Sequence, residues 1–421
     1  MTKQVNVHDL QKGMYVSELD RPWAGTPFLF QGFEIRSDEQ IIQLQQFCQY
    51  VYIDTNLGQT SRSAHRTAGQ LNTPSPPSTA LTHAEILKLP LRQVIALPRY
   101  IDLTTLEEEM PVARTIEIGM RELVYSIMDD VRLGHSVDSQ RVRVMIVDMV
   151  DSITRNPDAL VWLTQLRIKD EYTALHSVRV AIIALAFGRH LNLSVEDLNV
   201  LGIGALLHDI GKLKIPNEII NKPGQLTPQE YKIVKMHVPH GVEILESSSG
   251  IPRAAIDVAR CHHERYAGTG YAAGLSGDRI GLFGLIGAIV DTYDAITSDR
   301  AYRAGISAYV ALTNLYRGRN KDYHGELVDQ FIQCMGVYPI GSIVEMNTGS
   351  IGVVITVNRH RRLRPRISLV FDENKEPYPH GTILDLAHVA TNENGRPIEI
   401  RRVLAAGTNG IDPSSYLPTG P

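Results

Sequence analysis

The chain has 421 residues, of which 43% are hydrophobic and 21% charged, with a formal net charge of −4 at neutral pH. That balance is ordinary for a globular protein of two or three domains, and the overall charge gives no reason to expect a nucleic-acid or membrane coat. Three scattered cysteines, Cys48, Cys261 and Cys334, argue against a disulfide framework and against a thiolate zinc site.

In chain order, residues 1–57 read as a small α+β domain. Val5, Val7 and Leu10, then Met14 to Val16, suggest short strands, a helical pattern covers residues 39–50, and Val51–Ile53 is apolar. His, Asp and Asn stand in the first ten residues, where a secretory signal would need an apolar stretch, so a cytoplasmic location is expected. Residues 58–100 read as a linker. Ser, Thr, Gly, Gln and Pro dominate its first part, including Thr73-Pro-Ser-Pro-Pro, and such a composition buries too little apolar area to order itself.

Residues 101–335 are helical in pattern nearly throughout. Ser194 ahead of Val195-Glu196-Asp197, and Thr227-Pro-Gln-Glu230, combine capping residues with acids in the first turn. Pro252 opens another helix. The apolar run Gly281 to Val290 is about half a membrane span and reads as a buried helix. From residue 336 the period changes. Ser342–Glu345, Ile351–Val357, Arg366–Phe371 and Thr382–Leu386 read as strands, giving a β-rich subdomain over 336–405 and a tail over 406–421. The run Arg359 to Arg366 holds five arginines in eight residues. Its alternation about Leu363 and Ile367 fits the exposed face of a hairpin better than a nucleic-acid contact. The fold class is thus mainly α, a helical bundle with a small α+β domain before it and a short β-rich appendix behind it.

The chemistry concentrates in the helical segment. Taken singly, His176 lies on an apolar stripe with Val180, Ile183 and Phe187 and reads as a hydrogen-bonded core histidine. His208-Asp209 ends a very apolar helix, where a buried charge needs a partner or a metal. His237 and His240 lie a turn apart on the helix that Thr227 starts, with Pro239 marking a kink or helix end between them. His262 and His263 adjoin at the end of another helix. Asp291 and Asp294 are spaced i, i+3. Taken together, imidazoles and carboxylates without thiolates suit iron, manganese or zinc. One bridging Asp with five or six His is the inventory of a site for two metals roughly 3.5–4 Å apart. Lys212 follows the His-Asp pair, and Arg300 and Arg303 share a face after Asp294, as a phosphate substrate would require.

These residues resemble a known family. His208-Asp209-Ile-Gly-Lys212 resembles the motif of the HD phosphohydrolase superfamily. Cys261 to Tyr271 resembles the extended HD-GYP motif, Asp291 to Arg303 its downstream block, and Lys222 to Glu230 the loop and helix between them. Residues 1–57 are similar to a small domain that precedes HD-GYP domains, and the β-rich segment to an appendix behind them. The resemblance implies an HD-type bundle that hydrolyses cyclic di-GMP to the linear dinucleotide, and onward to GMP if at all slowly, through a hydroxide held between two divalent metals, iron or manganese. It implies His176, His208, Asp209, His237, His262, His263 and Asp291 as metal ligands, with Asp209 bridging. Asp209 and Lys212 would be catalytic, and Lys212, Tyr271, Asp294, Arg300 and Arg303 would face the substrate. A diguanylate cyclase or another signalling protein, or a second copy of the chain, is the expected macromolecular partner, and nucleic acid and membrane are not.

The chain departs from the family pattern in three places. The GYP triplet reads Gly270-Tyr271-Ala272, and Ala267 replaces an aspartate. Tyr172 stands where some members carry a Glu for a third metal, with Glu171 one position away, so two metals are expected. Two other readings remain: a domain that binds the dinucleotide or a partner without cleaving it, and a different HD reaction such as hydrolysis of a nucleotide monoester or (p)ppGpp.

Overall fold

The computed structural model describes residues 2–21, 26, 28, 32–54, 100–165, 172–298, 305–358, 361–388, 391, 397–405 and 407–416. The chain divides into two units, residues 1–86 and 87–421. In the first, β1 (Thr2–Asn6), β2 (Tyr15–Leu19), β3 (Phe33–Glu34), α1 (Asp38–Phe47) and β4 (Tyr50–Asp54) form an antiparallel sheet in the order β1-β4-β2-β3. Ser37 and Gln40 close a capping box at the start of α1. Val51 and Ile53, which alternate along β4, and Val16 and Leu19, on either side of a register shift in β2, meet Leu44 of α1 in this unit's core. The linker assigned from composition lies outside the described residues, apart from Tyr100.

In the second unit the helices are α2 (Leu106–Arg132), α3 (Ser139–Arg155), α4 (Pro157–Leu163), α5 (Tyr172–His190), α6 (Val195–Leu207), α7 (Asn217–Ile220), α8 (Pro228–Lys235), α9 (His237–Ser247), α10 (Arg253–Cys261), α11 (Leu282–Thr297), α12 (Ala308–Arg317) and α13 (Gly325–Met335). Their starts follow the capping residues. Ser194 accepts from the Asp197 amide at α6, and Thr227 and Glu230 close a box at α8. The kink or helix end expected near Pro239 falls at Met236, between α8 and α9. A proline at position 239 of a continuous helix would clash with the Lys235 carbonyl and leave it without a donor. The break at Met236 instead puts Pro239 in the first turn of α9, where its missing N–H is not needed.

Helices α5, α6, α10 and α11 pack around one another at the centre. Alanine, valine, isoleucine and leucine cover almost every side of α5, and the apolar stretch of α11 is buried, as its sequence predicts. Each of these larger side chains contributes about 1.5–3 kcal/mol by leaving water. Small residues bring the helix axes close. A Cβ added at Gly204 of α6 would stand 2.5 Å from the Ala255 carbonyl oxygen and 2.6 Å from Val258 Cγ2 of α10. Gly204→Ala should therefore destabilise the unit by about 1–3 kcal/mol, read from its denaturant midpoint.

Strands β5 (Ile343–Met346), β6 (Ile351–Thr356), β7 (Arg366–Phe371), β8 (Ile383–Asp385) and β9 (Ile400–Val403) form an antiparallel sheet in the order β8-β7-β6-β5-β9. Of the arginine run, Arg361 and Arg364 donate to the carbonyls of Ala387 and Ile398, and Arg366 pairs with Glu107 at the start of α2 at 3.3 Å. Arg359 and His360 lie outside the described residues. Among the described residues no helix is long and apolar enough to cross a membrane.

Candidate metal centre

His176 comes from α5, His208 caps the end of α6, and Asp209 follows it into a short 3-10 turn, Ile210–Lys214. His237 opens α9, His262 caps α10 with His263 after it, and Asp291 lies on α11. The 3-10 turn meets α9 at glycine. A Cβ on Gly211 would stand 1.9 Å from the His237 carbonyl oxygen and 2.4 Å from the Gly241 nitrogen, so only glycine lets Asp209 and His237 approach this way.

The donor atoms fall into two groups. Asp209, His237, His262 and His263 form one, and His176, His208 and Asp291 the other, with the atoms of each group within 4.8 Å of one another. The two oxygens of Asp209 divide between them. Oδ1 lies 3.4 Å from His237 Nε2 and 3.7 Å from His262 Nε2. Oδ2 lies 3.3 Å from His208 Nε2 and 3.5 Å from His176 Nε2, and it accepts from the Lys212 ammonium. Asp291 Oδ1 approaches His176 Nε2 at 3.1 Å, and its Oδ2 lies 3.9 Å from His263 Nδ1.

Backbone carbonyls fix the tautomers. Nδ1 of His208 donates to Ala205 at 2.7 Å, Nδ1 of His237 to Val234 at 2.7 Å, and Nδ1 of His262 to Ala259 at 2.9 Å. With the proton on Nδ1, each Nε2 presents a bare lone pair. His237 and His262 then face each other lone pair to lone pair at 3.3 Å. His208 Nε2 and Asp209 Oδ1 are buried without a hydrogen bond of acceptable geometry among the described residues. So many buried acceptors turned on one another are costly unless cations lie among them, and the residues present fit a metal site.

The electrostatics agree. Burial, with the neighbouring imidazoles, holds His262 well below the usual histidine range. Burial chiefly takes His263 down to about 3, and burial also lowers His237, so all three are neutral at pH 7. Burial would raise Asp209, but the Lys212 ammonium and the His208 imidazole outweigh it and hold the carboxyl well below its usual range. His176 is opposed by burial, yet hydrogen bonds to Asp291 and Asp294 take it up to about 9.

The other residues singled out in the sequence are placed as follows. Lys212 lies beside Asp209 with its side chain 22% exposed. The Tyr271 ring stacks on His263 with centroids 4.6 Å apart. Asp294 is buried: Oδ2 takes His176 Nδ1 at 2.7 Å and Oδ1 takes Arg179 Nε at 2.8 Å, so the side chain is committed to protein partners. His240 stands apart from the cluster, a third exposed, near Glu243. Arg300, Arg303 and Glu171 lie outside the described residues, and Tyr172 is the first residue of α5. Sequence reasoning missed Arg179, one turn after His176, and Glu264, whose buried carboxylate accepts from the Ala273 amide and ties down the loop around Tyr271. The acid in His262-His263-Glu264 was the available signal.

Comparison with known proteins places the chain. Residues 157–327 match the HD domain family, residues 2–142 a domain of unknown function (DUF3391), and residues 343–392 a KOW domain associated with the HD domain. A cyclic di-GMP phosphodiesterase of Pseudomonas aeruginosa is 32% identical over 396 residues, covering 93% of this chain and 91% of that protein. A cyclic di-GMP phosphodiesterase of Thermotoga maritima is 36% identical over 39% of this chain and 45% of its own length. A 3'3'-cGAMP-specific phosphodiesterase of Vibrio cholerae is 41% identical over 34% of this chain and 31% of its own. A solved HD-G"Y"P protein from Bdellovibrio bacteriovorus, 15% identical, aligns over 79% of this chain and 98% of its own with a TM-score of 0.45. With a relative this similar across almost the full length of both proteins, the chain belongs to the HD-GYP family of HD-domain phosphodiesterases.

Proposed function

We propose that the protein hydrolyses cyclic di-GMP at a centre of two divalent metals, iron or manganese, held by His176, His208, Asp209, His237, His262, His263 and Asp291. The observation that carries this reading is the division of the two Asp209 oxygens between two sets of imidazoles. A bound metal pair supplies an acidified water and the positive charge that clamps a phosphoryl group. The chain's own residues do the rest. Asp209 is kept ionised and spans both positions. The Lys212 ammonium, mostly sheltered from water, offers its charge to the phosphoryl oxygens as negative charge builds up on them. Tyr271 offers a ring at the exposed edge of His263. Arg300 and Arg303 follow α11 in sequence and are proposed as further phosphate contacts. The product is the linear dinucleotide.

Asp294, placed near the substrate by sequence, acts in this reading as a positioning residue. It orients His176 through Nδ1 and is itself held by Arg179. Asp294→Asn should weaken metal binding about 10–100-fold, as loss of a carboxylate behind a metal-bound histidine does. Metal competition with a chromophoric chelator reads this, and unchanged affinity would remove the role.

The substrate assignment follows the relative that matches over 93% of this chain. Turnover of cyclic di-GMP, 3'3'-cGAMP, (p)ppGpp and a nucleotide monoester, compared on one preparation, tests it. Preference for cyclic di-GMP is expected. Binding without cleavage would support a sensing module, and preference for a monoester a different HD reaction.

A further inference from the structure

Beside the metal cluster is a second basic group that the reading above leaves unused. Lys235 ends α8, two residues before His237. Its ammonium lies 4.6 Å from the ring centre of Tyr231, one helical turn back, and 4.9 Å from that of Tyr271. Tyr271 in turn stacks on His263. Lys235 is therefore one aromatic ring away from the metal cluster, on its exposed side. Lys212 is paired with Asp209, and Lys222 with Glu230 at 2.7 Å. No acidic side chain among the described residues pairs with Lys235. Two rings hold the ammonium, and ring faces attract a cation without cancelling its charge. Tyr231, nearly half exposed, leaves the approach open.

A cyclic dinucleotide carries two phosphodiesters in one ring. When one phosphorus lies over the metals, the other must lie at the mouth of the site, with a full negative charge and no metal to meet it. We infer that Lys235, steadied between Tyr231 and Tyr271, binds this second phosphate and so selects cyclic dinucleotides over single diesters. The inference rests on the proposed activity, and it adds a specificity-determining residue to it. A charge-assisted contact of this kind changes affinity about ten- to a hundredfold.

The test compares cyclic di-GMP with bis(p-nitrophenyl) phosphate, which has one diester and nothing to occupy the mouth. Lys235→Met keeps the apolar stem on both rings and removes the charge, and Lys235→Arg keeps the charge. The expected result is that Lys235→Met lowers kcat/KM on cyclic di-GMP about ten- to a hundredfold more than on the simple diester, mostly through KM, and that Lys235→Arg recovers most of the loss. Equal losses on the two substrates would make Lys235 only a clasp on the Tyr271 loop. No loss on cyclic di-GMP would also overturn the inference. Wild-type protein that cleaved the simple diester but not cyclic di-GMP would overturn the substrate assignment on which the inference rests, and a protein inactive on both would overturn the metal chemistry itself.

Discussion

Asp209→Ala is expected to lower turnover of cyclic di-GMP at least about a thousandfold, roughly 4 kcal/mol of barrier, and to release both metals. The side chain is buried and its two oxygens serve different groups of imidazoles, so no neighbour can replace it at either position. Removing it also strands the Lys212 ammonium, its bonded partner, next to the histidines. Quantified metal on the purified variant, beside a chromatographic product assay, reads both effects. Two metals per chain with near-normal turnover would show that the site is wrongly assigned.

Lys212→Ala should separate charge stabilisation from metal binding. With the metals in place, kcat on cyclic di-GMP should fall about 10²–10³-fold, the usual cost of losing one preorganised positive or hydrogen-bonding group from a developing oxyanion. Metal content should stay at the wild-type level, because the ammonium reaches Asp209 without competing for the lone pairs of the histidines. The comparison must use metal-loaded protein. In the metal-free chain Lys212 is the nearest cation to a buried carboxylate, and its loss there would cost stability for reasons unrelated to catalysis. Loss of metal together with a lowered denaturant midpoint in loaded protein would assign Lys212 a structural role.

Much of the helical unit is legible in the sequence because its signals are local. Ser194 and Thr227 mark helix starts through side chains that bond amides three residues away, and the apolar stretch from residue 282 can only be buried. The candidate cluster is legible for a different reason: imidazoles and carboxylates recur through one helical segment, His208, Asp209, His237, His262 and His263 at helix ends and His176 and Asp291 inside apolar helices. What escaped is set by tertiary contact. Asp294 and Asp291 look equivalent at i, i+3, and only the position of α5 sends one to His176 Nε2 and the other to Nδ1 and Arg179. Lys235 resembles any lysine at a helix C-terminus until the loop after His263 brings Tyr271 beside it. Two short or distant strands were also missed. Phe33–Glu34 is too short to show a period, and Ile400–Val403 pairs with β5 more than fifty residues earlier.

Metal reconstitution decides whether seven side chains hold two metals that support cleavage of cyclic di-GMP. The protein is purified anaerobically, stripped with a chelator and refilled stepwise with Fe(II) or Mn(II), while bound metal and cyclic di-GMP turnover are measured on the same samples. No turnover is expected in the stripped protein, with a plateau at two metals per chain and activity that rises with occupancy of the second. Full turnover at one metal per chain, or turnover that survives complete stripping, would contradict a two-metal centre.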